Sequence, residues 1–357
     1  MNGSRLEVAR KRKGYSRPQL ADLLGVTSRT INGWESGAPV PEDRVEALVR
    51  ELGFSREFLN LPDPASVSTD AVSFRSLSRK TATQRDAALA MCDLAVDLSA
   101  WIDPRFGRND VSLPDLSDEK ADFSADLLRR DWALGTAPVA NMIHLLEAKG
   151  VRLFALPNNC REIDACSFWM DSIPYMLVDT SRSAERIRFN LAHELGHLVL
   201  HRHGAPIGQA AEKEANTFAS AFLMTETSLQ QHLPRQMSVE SVVRMKRHWG
   251  VSAMALAYRL NKIGRLRDWH YKTMVIEMRR RRYHETEPEP MAHEQSYVLD
   301  LVLRTLLQRG ISLRVVADGT RLPHSEVVGL MQGLATLAIS EHDIASPTER
   351  RASLRVV

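Results

Sequence analysis

Apolar residues recur at helical spacing through most of the chain, and the pattern changes to that of strands in one central stretch. Residues 1–61 read as a run of short helices. Within RPQLADLLGVTSRTINGWESG (17–37), Leu20, Ala21 and Leu24 share one helical face, Gly25 permits a tight turn, and Val26 plugs the core beneath it. SRTINGWE then opens a second helix with Ile31 and Trp34 inward, which leaves Ser28, Arg29, Thr30 and Gly33 facing out. LPDPASVSTDAVS (61–73) predicts a linker, and residues 82–101 predict a helix. DPRFGRNDVSLPDLSD (103–118) breaks that pattern and supplies Ser117 as the expected N-cap of a helix over about 118–134. A further helix over 138–149 is expected to stop at Gly150.

VRLFALP (151–157) and DACSFWMDSIPYMLVDT (164–180) are dense in β-branched and aromatic residues, and they predict three strands with the last two as a hairpin. Helices are expected again at 183–201, 209–224, 238–248, 252–263, 292–309 and 311–334, with MRRRRYHETEPEPM (278–291) as a charged connector. The expected fold is mostly α with one α+β domain. Its parts are a five-helix domain over 1–61, a linker and helical connector over 62–134, an α+β domain with a small sheet over 135–265, and a C-terminal helical domain over 266–357.

Composition adds little to this picture. The 357 residues are 44% apolar and 25% charged, with a net charge of +3 that permits nucleic-acid contact without demanding it. No run approaches the ~18 apolar residues of a membrane helix. MNGSRLEVARKRKG lacks the apolar core of a secretory signal, so a cytoplasmic protein is expected. Three cysteines (Cys92, Cys160, Cys166) make no CxxC pair and no disulfide framework, and buried inert thiols are expected at Cys160 and Cys166.

The chemistry concentrates in RFNLAHELGHLVLHRH (188–203). His193 and His197 lie four residues apart and present both imidazoles to one face, as a shared metal ion requires. Glu194 is placed to act as general base on a water. Gly196 leaves space beside the site. A third ligand is expected from EKEANTFASAFLM (212–224), which offers Glu212 and Glu214; Glu212, at the edge of the apolar face, is the expected one. Asn216 is four residues beyond Glu212 and is expected to hydrogen-bond a ligand histidine. His201 and His203 extend the cluster with a structural or solvated role. Zinc is the expected ion, and manganese suits the same ligand types. Tyr175 is expected to pack on the sheet.

Together, DACSFW, PYMLVD, RIRFNLAHELGHLVLH and EKEANTFASAFLM resemble the ImmA/IrrE family of metallopeptidases over roughly residues 135–265. The resemblance implies a zincin-like peptidase domain, with His193, His197 and Glu212 as zinc ligands and Glu194 as the base. Where related zincins carry ExxxD, this chain has Glu212 and Asn216. Residues 4–61 resemble the phage-repressor-like (XRE) helix-turn-helix family. That resemblance implies a structural ion pair between Arg10 and Glu35, and phosphate contacts from Arg17 and Gln19, beside the outward Ser28, Arg29, Thr30 and Gly33.

The expectation is a zinc-dependent endopeptidase that binds DNA through residues 1–61 and cuts a DNA-binding repressor in a stress, phage or toxin–antitoxin response, close to the nucleoid. The alternative is a transcriptional regulator or antitoxin whose zinc domain is sensory or idle. Self-cleavage through the 61–73 linker is a third reading. VESVVRMKRHWGVSAMALAYRLNKIGRL (239–266) is expected to buttress the active site, RRRR (279–282) to be solvated, and the C-terminal helices to pack or dimerise.

Overall fold

The structure is a computed structural model, and it describes residues 1–67, 72–73, 81–107, 109–157, 163–202 and 208–336. Cys160, His203 and the tail after Thr336 lie outside the described residues. The chain divides into two compact units, one of residues 1–68, 79–108 and 296–357, the other of 69–78 and 109–295. The 266–357 segment, expected as one helical domain, thus contributes to both.

In the first unit, α1 (Gly3–Arg12), α2 (Arg17–Leu24), α3 (Ser28–Glu35), α4 (Glu42–Leu52) and α5 (Arg56–Leu59) form the N-terminal helical cluster. Each of α1, α2, α3 and α5 starts on a side-chain cap, from Asn2, Ser16, Thr27 and Ser55 respectively. Leu6, Leu20, Ile31, Leu48 and Phe58 are completely buried and fuse the cluster into one core. Val26 is only half-buried. Gly3 is required where α1 crosses the end of α3, because a Cβ there would lie 2.3 Å from the Glu35 carbonyl oxygen.

α6 (Ala82–Phe106) is five residues longer than the pattern predicted and carries Pro104 near its end. Its buried Ala and Leu face packs on α1. Arg5 ties the two together by pairing with Asp97 and donating to the Pro62 carbonyl. α15 (Tyr297–Gln308), α16 (Arg314–Thr320) and α17 (His324–Met331) complete the unit. The helix expected over 311–334 is broken, because Arg321 takes a left-handed φ of 62° and Pro323 starts a new helix. Arg12 and Glu326 meet in a buried ion pair at 2.8 Å.

In the second unit, β1 (Val72–Ser73), β2 (Arg152–Ala155), β3 (Ala165–Met170) and β4 (Ile173–Val178) form a four-stranded sheet in the order β1-β3-β4-β2. The three expected strands are present. The fourth comes from the end of the expected linker and pairs antiparallel with β3, with Ser73 opposite Ser167. β3 and β4 form the hairpin, joined by Asp171 and Ser172, both at left-handed φ (48° and 63°), as a tight two-residue turn requires. β2 pairs parallel with β4.

Beneath the sheet lies α9 (Ala184–Leu200), capped by Ser183, and α10 (Gln209–Leu223) packs on α9. α7 (Ala121–Asp131) supports α10, and buried Arg129 donates to the Phe222 carbonyl at its end. Ser117 does not cap α7. Its hydroxyl bonds Asp115, and Lys120 occupies the cap position without a side-chain bond. α8 (Met142–Ala148) ends at Lys149, followed by Gly150 at φ +85°, where a Cβ would come within 2.7 Å of the Val111 backbone.

α12 (Val239–Trp249) and α13 (Ala253–Lys262) follow, with α11 (Glu226–Gln231) and α14 (Asp268–Arg280) as two helices the pattern did not reveal. The 278–291 connector is partly anchored in the interior. Buried Lys246 lies 2.9 Å from Glu185 of α9 and 3.3 Å from Glu287. Of the arginine run, Arg281 pairs with Glu240 and Glu277, and Arg282 with Glu285.

Candidate metal centre and nucleic-acid face

α9 is buried along nearly its whole length, so its polar groups need partners inside the protein. His193 Nε2 and His197 Nε2 lie 3.1 Å apart. Glu212, from the first turn of α10, sits with its carboxylate oxygens 3.5 Å from His193 Nε2 and 3.4 Å from His197 Nε2. Ligand atoms around a tetrahedral ion with bonds near 2.0–2.1 Å are spaced by about 3.3 Å. The three side chains therefore fit such an ion, and among the described residues they form the one group of His, Cys, Asp or Glu with that geometry. Two imidazoles and a carboxylate suit zinc and also manganese. Burial alone would raise the Glu212 carboxyl, but hydrogen bonds and charge from His193 and His197 outweigh it and hold the group well below the usual carboxylate range.

Gly196 sets how closely α10 approaches. A Cβ on it would meet Phe218 at 3.0 Å and the Ala215 backbone at 3.3 Å. Glu214 points elsewhere, about half exposed, with an oxygen 3.1 Å from His201 Nε2. Asn216, expected to bond a histidine, instead donates its amide to the Glu212 carbonyl at 2.7 Å, one turn back on its own helix.

Glu194, next to the first histidine, is buried and accepts a 2.6 Å hydrogen bond from Ser167 Oγ of β3. Ser167 carries little local signal in the sequence, a lone hydroxyl in the apolar strand ACSFWM. His201 is placed as the C-cap of α9, with Nδ1 2.8 Å from His197 Nδ1. Burial pushes its imidazolium down, which favours the neutral ring. Trp169 Nε1 bonds the Leu198 carbonyl, a second link between β3 and α9. Tyr175 is buried and stacks on Phe168 with ring centroids 5.1 Å apart. Cys166 is buried on β3.

In the first unit, Gly25 closes α2 with a left-handed φ of 63°, and α3 starts two residues past Val26. Ile31 and Trp34 face the core, while Ser28 and Arg29 are exposed and Thr30 and Gly33 half-buried. Thr30 Oγ lies 2.8 Å from Thr27 Oγ. Arg10 pairs with Glu35 at 2.5 Å, as the resemblance implied. Arg17 is engaged with the domain's own carboxylates, 2.6 Å from Glu35 and 3.4 Å from Glu7. Gln19, exposed, closes a capping box with Ser16. A cavity of about 550 Å³ adjoins this face, lined in part by Arg17, Ser28, Thr83 and Asp86.

The geometry thus gives a two-helix turn whose second helix has an exposed face in one unit, and in the other a cluster of two buried histidines, buried Glu194 and half-buried Glu212. Residues 3–60 match a family model described as a helix-turn-helix domain, and residues 146–261 match one described as the IrrE N-terminal-like domain. The chain thus carries one stretch similar to helix-turn-helix domains and another similar to the IrrE N-terminal-like domain. A comparison with curated proteins finds no match. Among the described residues, no helix is long and apolar enough to cross a membrane.

Proposed function

We propose that the protein is a DNA-binding regulator with a metal-dependent endopeptidase centre, and that its substrate is a DNA-binding repressor. The observation that carries the enzymatic reading is Glu194. A purely structural ion would give Glu194 no role, since it is not among the three residues that fit the ion, whereas a buried carboxylate beside the first ligand, held at 2.6 Å by Ser167, is what a general base requires.

In this reading His193, His197 and Glu212 hold the ion. Zinc bound there supplies a polarised substrate carbonyl and an acidified water. Glu194 takes the proton of the attacking water and passes it to the leaving amine as the peptide bond breaks. Ser167 fixes the rotamer of Glu194 so that the carboxylate is ready before substrate arrives. The helix-turn-helix unit, with Arg29 exposed on α3, places the enzyme on DNA near a DNA-bound target and raises their local concentrations.

The test uses purified full-length protein. Wild type and Glu194→Gln are each expected to bind one zinc ion per chain, and His193→Ala none. In cells, Glu194→Gln is expected to lose the regulatory output. Retention of that output by Glu194→Gln would instead support a sensory or idle metal domain.

A further inference from the structure

We infer that His201 and Glu214 are positioning residues for the metal centre, forming a hydrogen-bond chain that orients His197; this rests on reading His193, His197 and Glu212 as the ligands. The two ring nitrogens of His197 face opposite ways. Nε2 points to the ligand cluster, 3.1 Å from His193 Nε2 and 3.4 Å from Glu212. Nδ1 points away from it, to His201 Nδ1 at 2.8 Å. His201 Nε2 in turn meets Glu214 Oε2 at 3.1 Å.

One placement of protons satisfies this whole chain. A histidine that gives its Nε2 lone pair to a metal carries its proton on Nδ1, and that proton needs an acceptor. His201 Nδ1 accepts it only if the His201 proton sits on Nε2. Glu214, as a carboxylate, accepts that second proton. The carboxylate at the outer end therefore selects the tautomer of His201, and through it that of His197.

The helices explain why the chain can form. His197 and His201 are four residues apart, but α9 ends at Leu200. As the C-cap, His201 bonds its backbone N–H to the His197 carbonyl at 3.0 Å, and its ring tilts 56° from that of His197. The second nitrogen thereby faces α10. Glu212 and Glu214 are two residues apart on α10 and so point in different directions. They grip His197 from both sides, Glu212 at the ligand face and Glu214 through His201. The chain runs outward, with the His201 side chain 7% exposed and that of Glu214 47%.

The test measures zinc affinity of the full-length protein by competition with a chromophoric chelator, beside thermal melting of the metal-stripped protein. His201→Phe is expected to weaken zinc binding by about 10–100-fold without lowering the melting temperature of the stripped protein. Glu214→Ala, at a half-exposed position that folding tolerates, is expected to weaken binding in the same direction. Adding it to His201→Phe is expected to cost nothing further, because the chain is already cut. His201→Gln, whose amide oxygen can accept from His197, is expected to restore most of the affinity. Wild-type affinity in both His201→Phe and Glu214→Ala, in a protein whose wild type binds zinc, would overturn the inference alone. A wild type that binds no zinc would overturn the metal-centre reading as well.

Discussion

Ser167 Oγ donates to Glu194 Oε2 across 2.6 Å, joining the sheet to the helix that carries both histidines. Neither residue is one of the three that fit a metal ion. The contact therefore separates base positioning from metal binding. Ser167→Ala is expected to lower peptidase turnover by about 10-fold or more while leaving zinc affinity unchanged. Ser167→Thr, which keeps the hydroxyl, is expected to retain more activity. Equal turnover in wild type and Ser167→Ala would show that Glu194 needs no such support.

Gly196 lies against Phe218 and Ala215 of α10, which also bears Glu212. Gly196→Ala must push the two helices apart or displace Phe218. It is expected to cost about 1–3 kcal/mol of stability and to weaken zinc binding, since Glu212 retreats with α10. Chemical denaturation and chelator competition on the same sample check both effects. A variant that loses stability but binds zinc normally would show that Glu212 tolerates the shift.

Asp93, buried on α6, accepts the Val67 N–H at 3.0 Å. Burial raises its carboxyl from the ordinary 3.8 to about 6. The folded protein thus holds this proton more tightly than the unfolded chain does. The associated stability is full below 3.8 and is lost as pH rises through about 6. The change corresponds to about 3 kcal/mol. Asp93→Asn keeps an acceptor for Val67 and removes the charge. It is expected to be more stable than wild type at about pH 8, with the gap closing towards about pH 4. A gap independent of pH in denaturation curves would contradict this.

Arg29 is exposed near the start of α3, whereas Arg17 is engaged with Glu35 and Glu7. Arg29→Ala is expected to weaken DNA binding and to reduce the dependence of log affinity on log salt by about 1 if Arg29 contacts a phosphate. Titrations at several salt concentrations, with an operator or with random duplex, read this out. An unchanged affinity would assign the DNA contact to other residues.

What the sequence revealed is what lies within one element or its ends. The four-residue spacing of His193 and His197, the Gly25 turn, and the helix starts expected at 183 and 238 are local, and each appears at or within a residue of its expected place. Preference for Glu212 over Glu214 followed from helical phase, and the structure brings Glu212 to the histidines. Features that depend on distant chain contacts were hidden. Ser167 and Glu194 meet across 27 positions of sequence, and β1 joins the sheet from a segment that reads as a linker. RRRR (279–282) is exposed as its charge implies, but nothing local shows that Glu287, further along the same connector, will meet the buried Lys246. Asn216 and Ser117 had the expected chemistry, but each found a nearer partner, the Glu212 carbonyl and Asp115.

The central claim is that Glu194 makes this regulator a peptidase. The most direct measurement compares new protein N-termini in cells expressing wild type and Glu194→Gln, with and without DNA damage. The expected result is a cut in a DNA-binding repressor that appears with wild type and is absent with Glu194→Gln. The same set of N-termini in both strains would contradict it.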